Sequence, residues 1–301
     1  RVLFRSTVKT SPTGRSFSVD GTAYTSARTF NWAPGENHTI ATSSPQAGAA
    51  GQQYVFTGWS DAGTISHQIT VPSAATTYTA SFKTQWHVTY KQSGVGSDAG
   101  TNTVVTVGAT NYNQGQFDVT EWIDDGTTIS YSYAATVLTS NTGKRYVLTT
   151  PAPTPGTGAS ITAATIITGT YKTQYLVTYK QSGVGADAGT NTVLTLGANT
   201  YNQSQFDQTQ WIDSGSTITY AYAATVLTSD TGKKYVLTTP DPSPGTGSAI
   251  SSPATITGTY KTQYKLSLAI SAGVPNGLSN ISGGADRTFY DSRSEEHTSE
   301  L

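Results

Sequence analysis

Three histidines, His38, His67 and His87, and a set of recurring aspartates are the groups most able to do acid–base or metal chemistry. The histidines have no short metal-ligand spacing, and Leu176 stands where His87 would recur. Surface or hydrogen-bonded imidazole is their expected role. Asp118 and Asp124 recur as Asp207 and Asp213. A paired acid–base site needs two carboxylates converging in a cleft. Nearby, however, Glu121 becomes Gln210 and Asp125 becomes Ser214 in the next copy, so charge there is dispensable. Turn or strand-surface aspartate is expected. Asp98 and Asp187 lie in glycine-rich loops and offer oxygen to calcium, but one carboxylate per loop falls short of a calcium cage. No Gly-x-Ser-x-Gly elbow is present. The Gly-x-Gly words at 94–96 and 156–158 precede no helical pattern, so they are not phosphate loops. An intramolecular Lys–Asn crosslink is conceivable, with Lys91, Lys172 and a nearby acid such as Asp118 as partners, against the plainer reading of exposed strand lysines. Asn37, Asn202 and Asn280 open Asn-x-Ser/Thr triplets, at about the background frequency of a Thr/Ser-rich chain. No catalytic, cofactor-binding or metal-ligating residue is assigned, no cofactor is expected, and the chain is not read as an enzyme. Four aromatics could stack on a ligand such as a sugar ring: Tyr112, Tyr201, Trp86 and Tyr175. Core or inter-module packing competes with that role for residues in strands.

The elements that would position these groups come from internal repetition. Residues 84–172 realign without a gap on 173–261, a period of 89 residues with 64 identical positions. YKQSGVG occurs at 90–96 and 179–185, AATVLTS at 134–140 and 223–229, and TGTYKTQY at 168–175 and 257–264. Residues 7–83 form a divergent earlier copy, and residues 262–292 a truncated start of a further one. Within a period, strand-type residues fill 86–91, 103–107, 116–123, 128–134, 145–149 and 160–172. Turn chemistry separates them, as at Asp125-Gly126 and Asn141-Thr142-Gly143. Six or seven short strands in about 90 residues predict an all-β fold: tandem small immunoglobulin-like sandwiches or a related small β fold, with strand order unreadable. Ile129, Tyr131 and Tyr133 share one face by alternation. Trp122, Trp211, Tyr146, Tyr235, Trp32 and Trp59 are the expected core anchors, each important in so small a module.

No Pro/Gly-rich linker separates the copies. Around 170–179 the residues Tyr171, Thr173, Tyr175, Val177 and Tyr179 alternate as in one continuous strand. The last strand of one module is therefore expected to run into the first strand of the next. Such a joint has little slack compared with a Gly/Ser linker, which predicts a semi-rigid, extended rod.

Composition narrows the function classes. Charged residues are 12 % of the chain and the formal net charge is −1, so no basic field exists to hold nucleic acid. There is no cysteine, hence no disulfide framework and no thiolate metal site. No apolar run approaches the ~20 residues of a membrane-spanning helix. Thr, Ser, Gly, Ala and Tyr dominate, as in many secreted surface proteins.

The words Phe17-Ser18-Val19-Asp20-Gly21, Phe30-Asn31-Trp32, His38-Thr39-Ile40 and the run from Tyr54 to Asp61 carry a resemblance. In particular, Phe56-Thr57-Gly58-Trp59-Ser60-Asp61 ahead of a Thr/Tyr-rich last strand resembles the InlB B-type repeat of bacterial and archaeal surface proteins. The resemblance covers 7–83 and reaches the two 89-residue copies by pattern only, because they lack the Gly58-Trp59 word. It implies extracellular, cell-envelope-attached modules of adhesin-like proteins and brings no catalytic residues. The expected function is thus a structural stalk or spacer whose partners are the neighbouring repeats of the same chain. The alternative is a module that binds a glycan or a host surface protein.

The two ends are expected to be foreign. With suitable codons the reverse complement of the first six residues encodes Arg293-Ser294-Glu295-Glu296-His297-Thr298, as one DNA element in inverted orientation would. Residues 1–6 and 293–301 resemble a translated sequencing adapter and are set apart from the fold.

Overall fold

In a computed structural model, residues 2–150, 153–239, 242–266 and 289–291 are described. The expected tail at 293–301 and most of 262–292, including the Asn280 triplet, lie outside the described residues. Regular structure among the described residues is β-strand with short 3₁₀ turns, so the all-β class stands. The chain forms two compact units: Arg1–Val137 with Leu148–Tyr171, and Leu138–Val147 with Lys172–Leu301.

The first unit opens with β1 (Phe4–Ser11), β2 (Phe17–Val19), β3 (Thr22–Tyr24), β4 (Arg28–Trp32), β5 (Asn37–Thr42), β6 (Gln46–Ala47), β7 (Gln52–Trp59), β8 (Ser66–Thr70) and β9 (Thr76–Ser93). One sheet runs β3-β2-β5-β8. In the other, β1 pairs with β4 antiparallel and with β9 parallel, and β7 pairs with β9 antiparallel. Strand alternation turns Val8, Tyr78, Ala80 and Phe82 of this sheet onto Phe17, Ile40 and Ile69 of the first, closing a sandwich core that also holds Trp32 and Trp59.

β9 continues without a break across the 83/84 period boundary. After it come β10 (Thr103–Val107), β11 (Thr110–Asn113), β12 (Val119–Asp124), β13 (Tyr131–Tyr133), β14 (Thr136–Leu138), β15 (Lys144–Leu148) and β16 (Thr165–Ser182). A three-stranded sheet, β11-β10-β13, covers a mixed sheet in which β9 pairs antiparallel with β12 and parallel with β16. Ile129, Tyr131 and Tyr133 are 2 %, 8 % and 7 % exposed, so alternation placed that face inward.

The second unit repeats the plan with β17 (Thr192–Leu196), β18 (Asn199–Asn202), β19 (Gln208–Asp213), β20 (Ala221–Tyr222), β21 (Thr225–Leu227), β22 (Lys233–Leu237) and β23 (Ala254–Lys265). Here β18-β17-β20 covers β16, which pairs antiparallel with β19 and parallel with β23. Val177, Tyr179, Leu194, Tyr222, Ile256 and Tyr260 sit in its core.

Two strands were not expected, β11 and β14. Thr110–Asn113 is polar and lies at a sheet edge, so it shows little apolar alternation. The expected anchor Trp122 is a correction: it is 41 % exposed. β12 turns Val119, Glu121 and Ile123 toward Tyr90, Val88 and Trp86, which forces Trp122 outward, opposite His87. Parity outweighs size. Trp211, its counterpart, is half-buried, whereas Tyr146, Tyr235, Trp32 and Trp59 are buried.

The head of the chain takes part in the sheet, with residues 4–6 opposite 30–32. Ser6 is 0 % exposed and its hydroxyl has no hydrogen-bond partner. An unmade hydrogen bond in a core costs on the order of 1–3 kcal/mol. Ser6→Ala, which removes the hydroxyl without adding volume, is expected to stabilise the first sandwich by about 1 kcal/mol. Hydrogen exchange of the β1 amides reads this directly, and slower exchange is the expected result; unchanged or faster exchange would contradict it.

Candidate functional site

The recurring chemistry of this chain converges on the joint between periods. On β9 the outward residues are Lys83, Gln85 and His87, by alternation from the buried Phe82 and Val88. Asp124, at the end of β12, lies opposite Gln85. Its carboxylate accepts from Lys83 Nζ at 2.8 Å and from Gln85 Nε2 at 2.7 Å. One side chain thus ties the last residue of one period to the second residue of the next. Asp213 does the same, accepting from Lys172 Nζ and Gln174 Nε2, both at 2.7 Å. The bond from the lysine, then that from the glutamine, holds each carboxyl below the usual carboxylate range. What these bonds add to stability is present above that range and is lost as pH falls through the lowered value. The groups are about two-fifths exposed, so solvent screens the contribution. Asp124 and Asp213, read from sequence as surface aspartates, are joint braces.

A hairpin laid over the joint adds backbone bonds. β7 pairs Gln52, Gln53 and Tyr54 with Trp86, Gln85 and Thr84, beyond the boundary. His87 N–H donates to Gly51 O at 2.9 Å, and Gln53 Nε2 donates to Gln85 Oε1 at 2.8 Å. In the second unit Leu176 N–H donates to Gly143 O at 2.8 Å, and Arg145 Nε donates to Gln174 Oε1 at 2.9 Å. The Arg145 guanidinium also lies 4.2 Å from the Trp211 ring centroid, which accounts for the cover Trp211 has and Trp122 lacks.

Inside each sandwich, tyrosine hydroxyls link backbones. Tyr133 Oη lies 2.6 Å from Lys91 O on β9 and 3.0 Å from Ile167 O on β16. Tyr222 Oη stands identically, 2.6 Å from Lys180 O and 3.0 Å from Ile256 O. Each ring lies flat against a glycine: a Cβ on Gly169 or Gly258 would come within 2.4 Å of it. Burial pushes both phenols far up, so they stay protonated and donate. Tyr171 and Tyr260 reach the opposite sheet, donating to Ala134 O and Ala223 O at 2.9 Å. Sequence reading missed these roles, although the recurrence of Tyr133 and Gly169 at the period was visible.

The other candidates are dispersed. His38 Nδ1 lies 2.7 Å from Asp20 Oδ2 and its ring stacks on Trp32 at 3.9 Å. His67 Nε2 lies 2.9 Å from Asp61 Oδ2, and His87 sits beside Trp122 at 5.0 Å between centroids. Asp187 is not a vacant calcium ligand: Lys233 Nζ is 2.8 Å from one oxygen and Tyr235 donates its hydroxyl to the other. Bonds to Asp187 and Tyr235 push Lys233 well above the usual lysine range. Among the described residues no three His, Asp or Glu side chains are grouped to hold a metal. Of the proposed stacking aromatics, Tyr112, Tyr201, Trp86 and Tyr175 are all half-buried. Tyr175 and Tyr201 pack on the second core, and Trp86 Nε1 donates to Asp125 at 2.7 Å.

The lysines considered for a crosslink are exposed strand lysines held in ion pairs. Lys91 does meet Asp118, at 2.8 Å, and Lys180 meets Asp207 at 2.9 Å, but Lys172 is held by Asp213. The Lys91–Asp118 pair is 42 % and 45 % exposed. Amide formation between such side chains needs a pair shut away from water, and this pair is open to it. The intact mass is expected to equal the sequence mass, with no loss of water or ammonia; a deficit of one water per period would show the bond.

No family model and no curated protein matches the chain. Among solved structures it is similar to the Bacillus anthracis TIE protein, at 10 % identity and a TM-score of 0.28, over 86 % of this chain and 50 % of that one. The chain therefore spans half the length of that protein. It is similar to Streptococcal High Identity Repeats in Tandem (SHIRT) domains 3-4 from a cell surface protein, at 11 % identity and a TM-score of 0.15, over 56 % of this chain and 96 % of that one. The third similarity is to the Streptococcal ancillary pilin, at 10 % identity and a TM-score of 0.21, over 85 % of this chain and 98 % of that one.

Proposed function

We propose that the chain is a spacer: tandem β modules of a secreted or cell-surface protein that hold another domain away from its anchor. One observation carries the reading. β9 passes from one period to the next as a single 18-residue strand, hydrogen-bonded by β1, β7, β12 and β16 along its length. Bending at residue 84 would break ladder bonds on β7 and pull Asp124 from Lys83 and Gln85. A Gly/Ser linker at this place would instead behave as a flexible coil. The low charge and the Thr/Ser/Tyr-rich composition support an extracellular setting, as does the resemblance of residues 7–83 to surface repeats. Small-angle scattering tests the reading. A compact globule of this length has a radius of gyration of about 19 Å. The spacer requires a value well above that; a value near it would overturn the proposal.

A second reading, glycan binding, has one observation in its favour. Trp122 is exposed on the outer face of β12, next to His87. An exposed indole with a hydrogen-bonding neighbour suits a sugar ring. Saturable binding on a glycan array, lost in Trp122→Ala, would support it, and a blank array would exclude it for the sugars displayed.

A further inference from the structure

In the three periods that the described residues cover, the first and last strands are hydrogen-bonded to each other and run parallel. Residues 6–11 of β1 pair with 76–81 of β9. Residues 88–93 of β9 pair with 165–170 of β16. Residues 177–182 of β16 pair with 254–259 of β23. These are the strands through which tension on the chain enters and leaves each period. Pulled from the two termini, parallel partners slide past one another along their own axis. Every bond of the ladder then carries load together. Antiparallel partners would instead be drawn apart from one end, one bond after another. The geometry therefore sets how the same number of hydrogen bonds resists force.

Two further features act on such pairs. The Tyr133 hydroxyl sits between the carbonyls of Lys91 and Ile167, one on each clamped strand. Tyr222 sits likewise between Lys180 and Ile256. Each hydroxyl bridges the two strands at the middle of the ladder, where sliding would tear it away. The load then passes to the next period without a linker, because the strand leaving one clamp is the strand entering the next.

We propose that each period is a shear clamp, so that the chain bears tension as well as spanning distance. The proposal rests on the spacer reading, since a chain is pulled from its two ends when it tethers one body to another. Forced unfolding reports the barrier to unfolding rather than equilibrium stability, and that barrier is what a clamp raises.

Single-molecule force spectroscopy on the whole chain tests it. The sequence has no cysteine, so handles attach only where cysteines are introduced. One variant carries cysteines at its two ends. A second carries Ser182→Cys and Thr259→Cys, exposed partners in the β16–β23 ladder that load it from one end. End-to-end pulling should unfold periods at a force at least about twofold above that of the Ser182/Thr259 variant at the same loading rate. Equal forces, or a lower end-to-end force, would overturn the clamp, and that comparison needs no destabilising mutation. Tyr222→Phe should lower the end-to-end force of one period while leaving the circular dichroism spectrum unchanged; an unaltered force would remove the hydroxyl from the mechanism. Scattering on the same protein separates the two readings. An extended particle with equal forces defeats the clamp alone, whereas a compact particle defeats the spacer whatever the forces are.

Discussion

Gly94→Ala is expected to destabilise the 84–172 sandwich by at least about 3 kcal/mol, the largest effect of any single methyl addition in that sandwich. Gly94 follows the last residue of β9, has φ +97, and faces the neighbouring strand so closely that a Cβ would stand 2.1 Å from Tyr171 O. Two penalties add. The left-handed backbone is strained for any residue with a side chain. The clash is with a backbone carbonyl of β16, which cannot rotate aside as a side chain would. Gly183 repeats the arrangement with φ +98 and Tyr260 O at 2.1 Å, so Gly183→Ala should cost the same in the second unit. Gly108→Ala separates the two penalties. Gly108 has φ +57 and nothing within 4 Å of a built Cβ, so its cost should be about 1 kcal/mol, the backbone penalty alone. Hydrogen exchange of amides 88–93, at the strand that Gly94 terminates, measures the local opening free energy in each variant. Equal losses for Gly94→Ala and Gly108→Ala would show that the approach to Tyr171 is not rigid.

Gly94 also marks how far the sequence was legible. The word Ser93-Gly94-Val95-Gly96 announced a turn, because glycine punctuates strands. It could not announce that the turn ends against Tyr171, because the two residues are far apart in the chain. The same limit hid the parallel pairing of β9 with β16. An antiparallel hairpin leaves a tight turn in the sequence, whereas parallel partners joined through a whole sandwich leave no local mark. What alternation and repetition do encode was readable: the 89-residue period, the inward face of Ile129, Tyr131 and Tyr133, and the strand running through the boundary. At the joint, Asp124 and Asp213 were visible as recurring carboxylates. Their partners Lys83 and Lys172 were visible as part of the boundary word TYKTQ or its variant. Only the register of β12 on β9 brings Asp124 over Lys83 and Gln85, and register is a property of the folded sheet.

Trp59→Ala and Trp122→Ala should give opposite results, although both tryptophans were expected to anchor cores. Trp59 is 4 % exposed, stands next to Phe56, and directs its indole N–H to Ile65 O at 3.3 Å. Removing it leaves a large cavity in a small sandwich and should cost about 3–5 kcal/mol. Trp122 is 41 % exposed, and its ring touches His87 on the outer face of the sheet. Removing it should change stability by no more than about 0.5 kcal/mol, as for an ordinary surface substitution. The physical difference is one of parity. In Trp122-Ile123 the strand must turn one residue out, and the core side of β12 is already set by Val119 opposite Tyr90. A two-residue step from Val119 gives Glu121 and Ile123, so Trp122 cannot enter the core without turning Val119 and Ile123 out. Denaturant unfolding of the two variants beside the parent chain decides the matter. A loss near that of Trp59→Ala in Trp122→Ala would mean that β12 pairs one residue out of the register described. The Asp124 brace would then fail with it, because the same register carries Asp124 to the outer face beside Lys83 and Gln85.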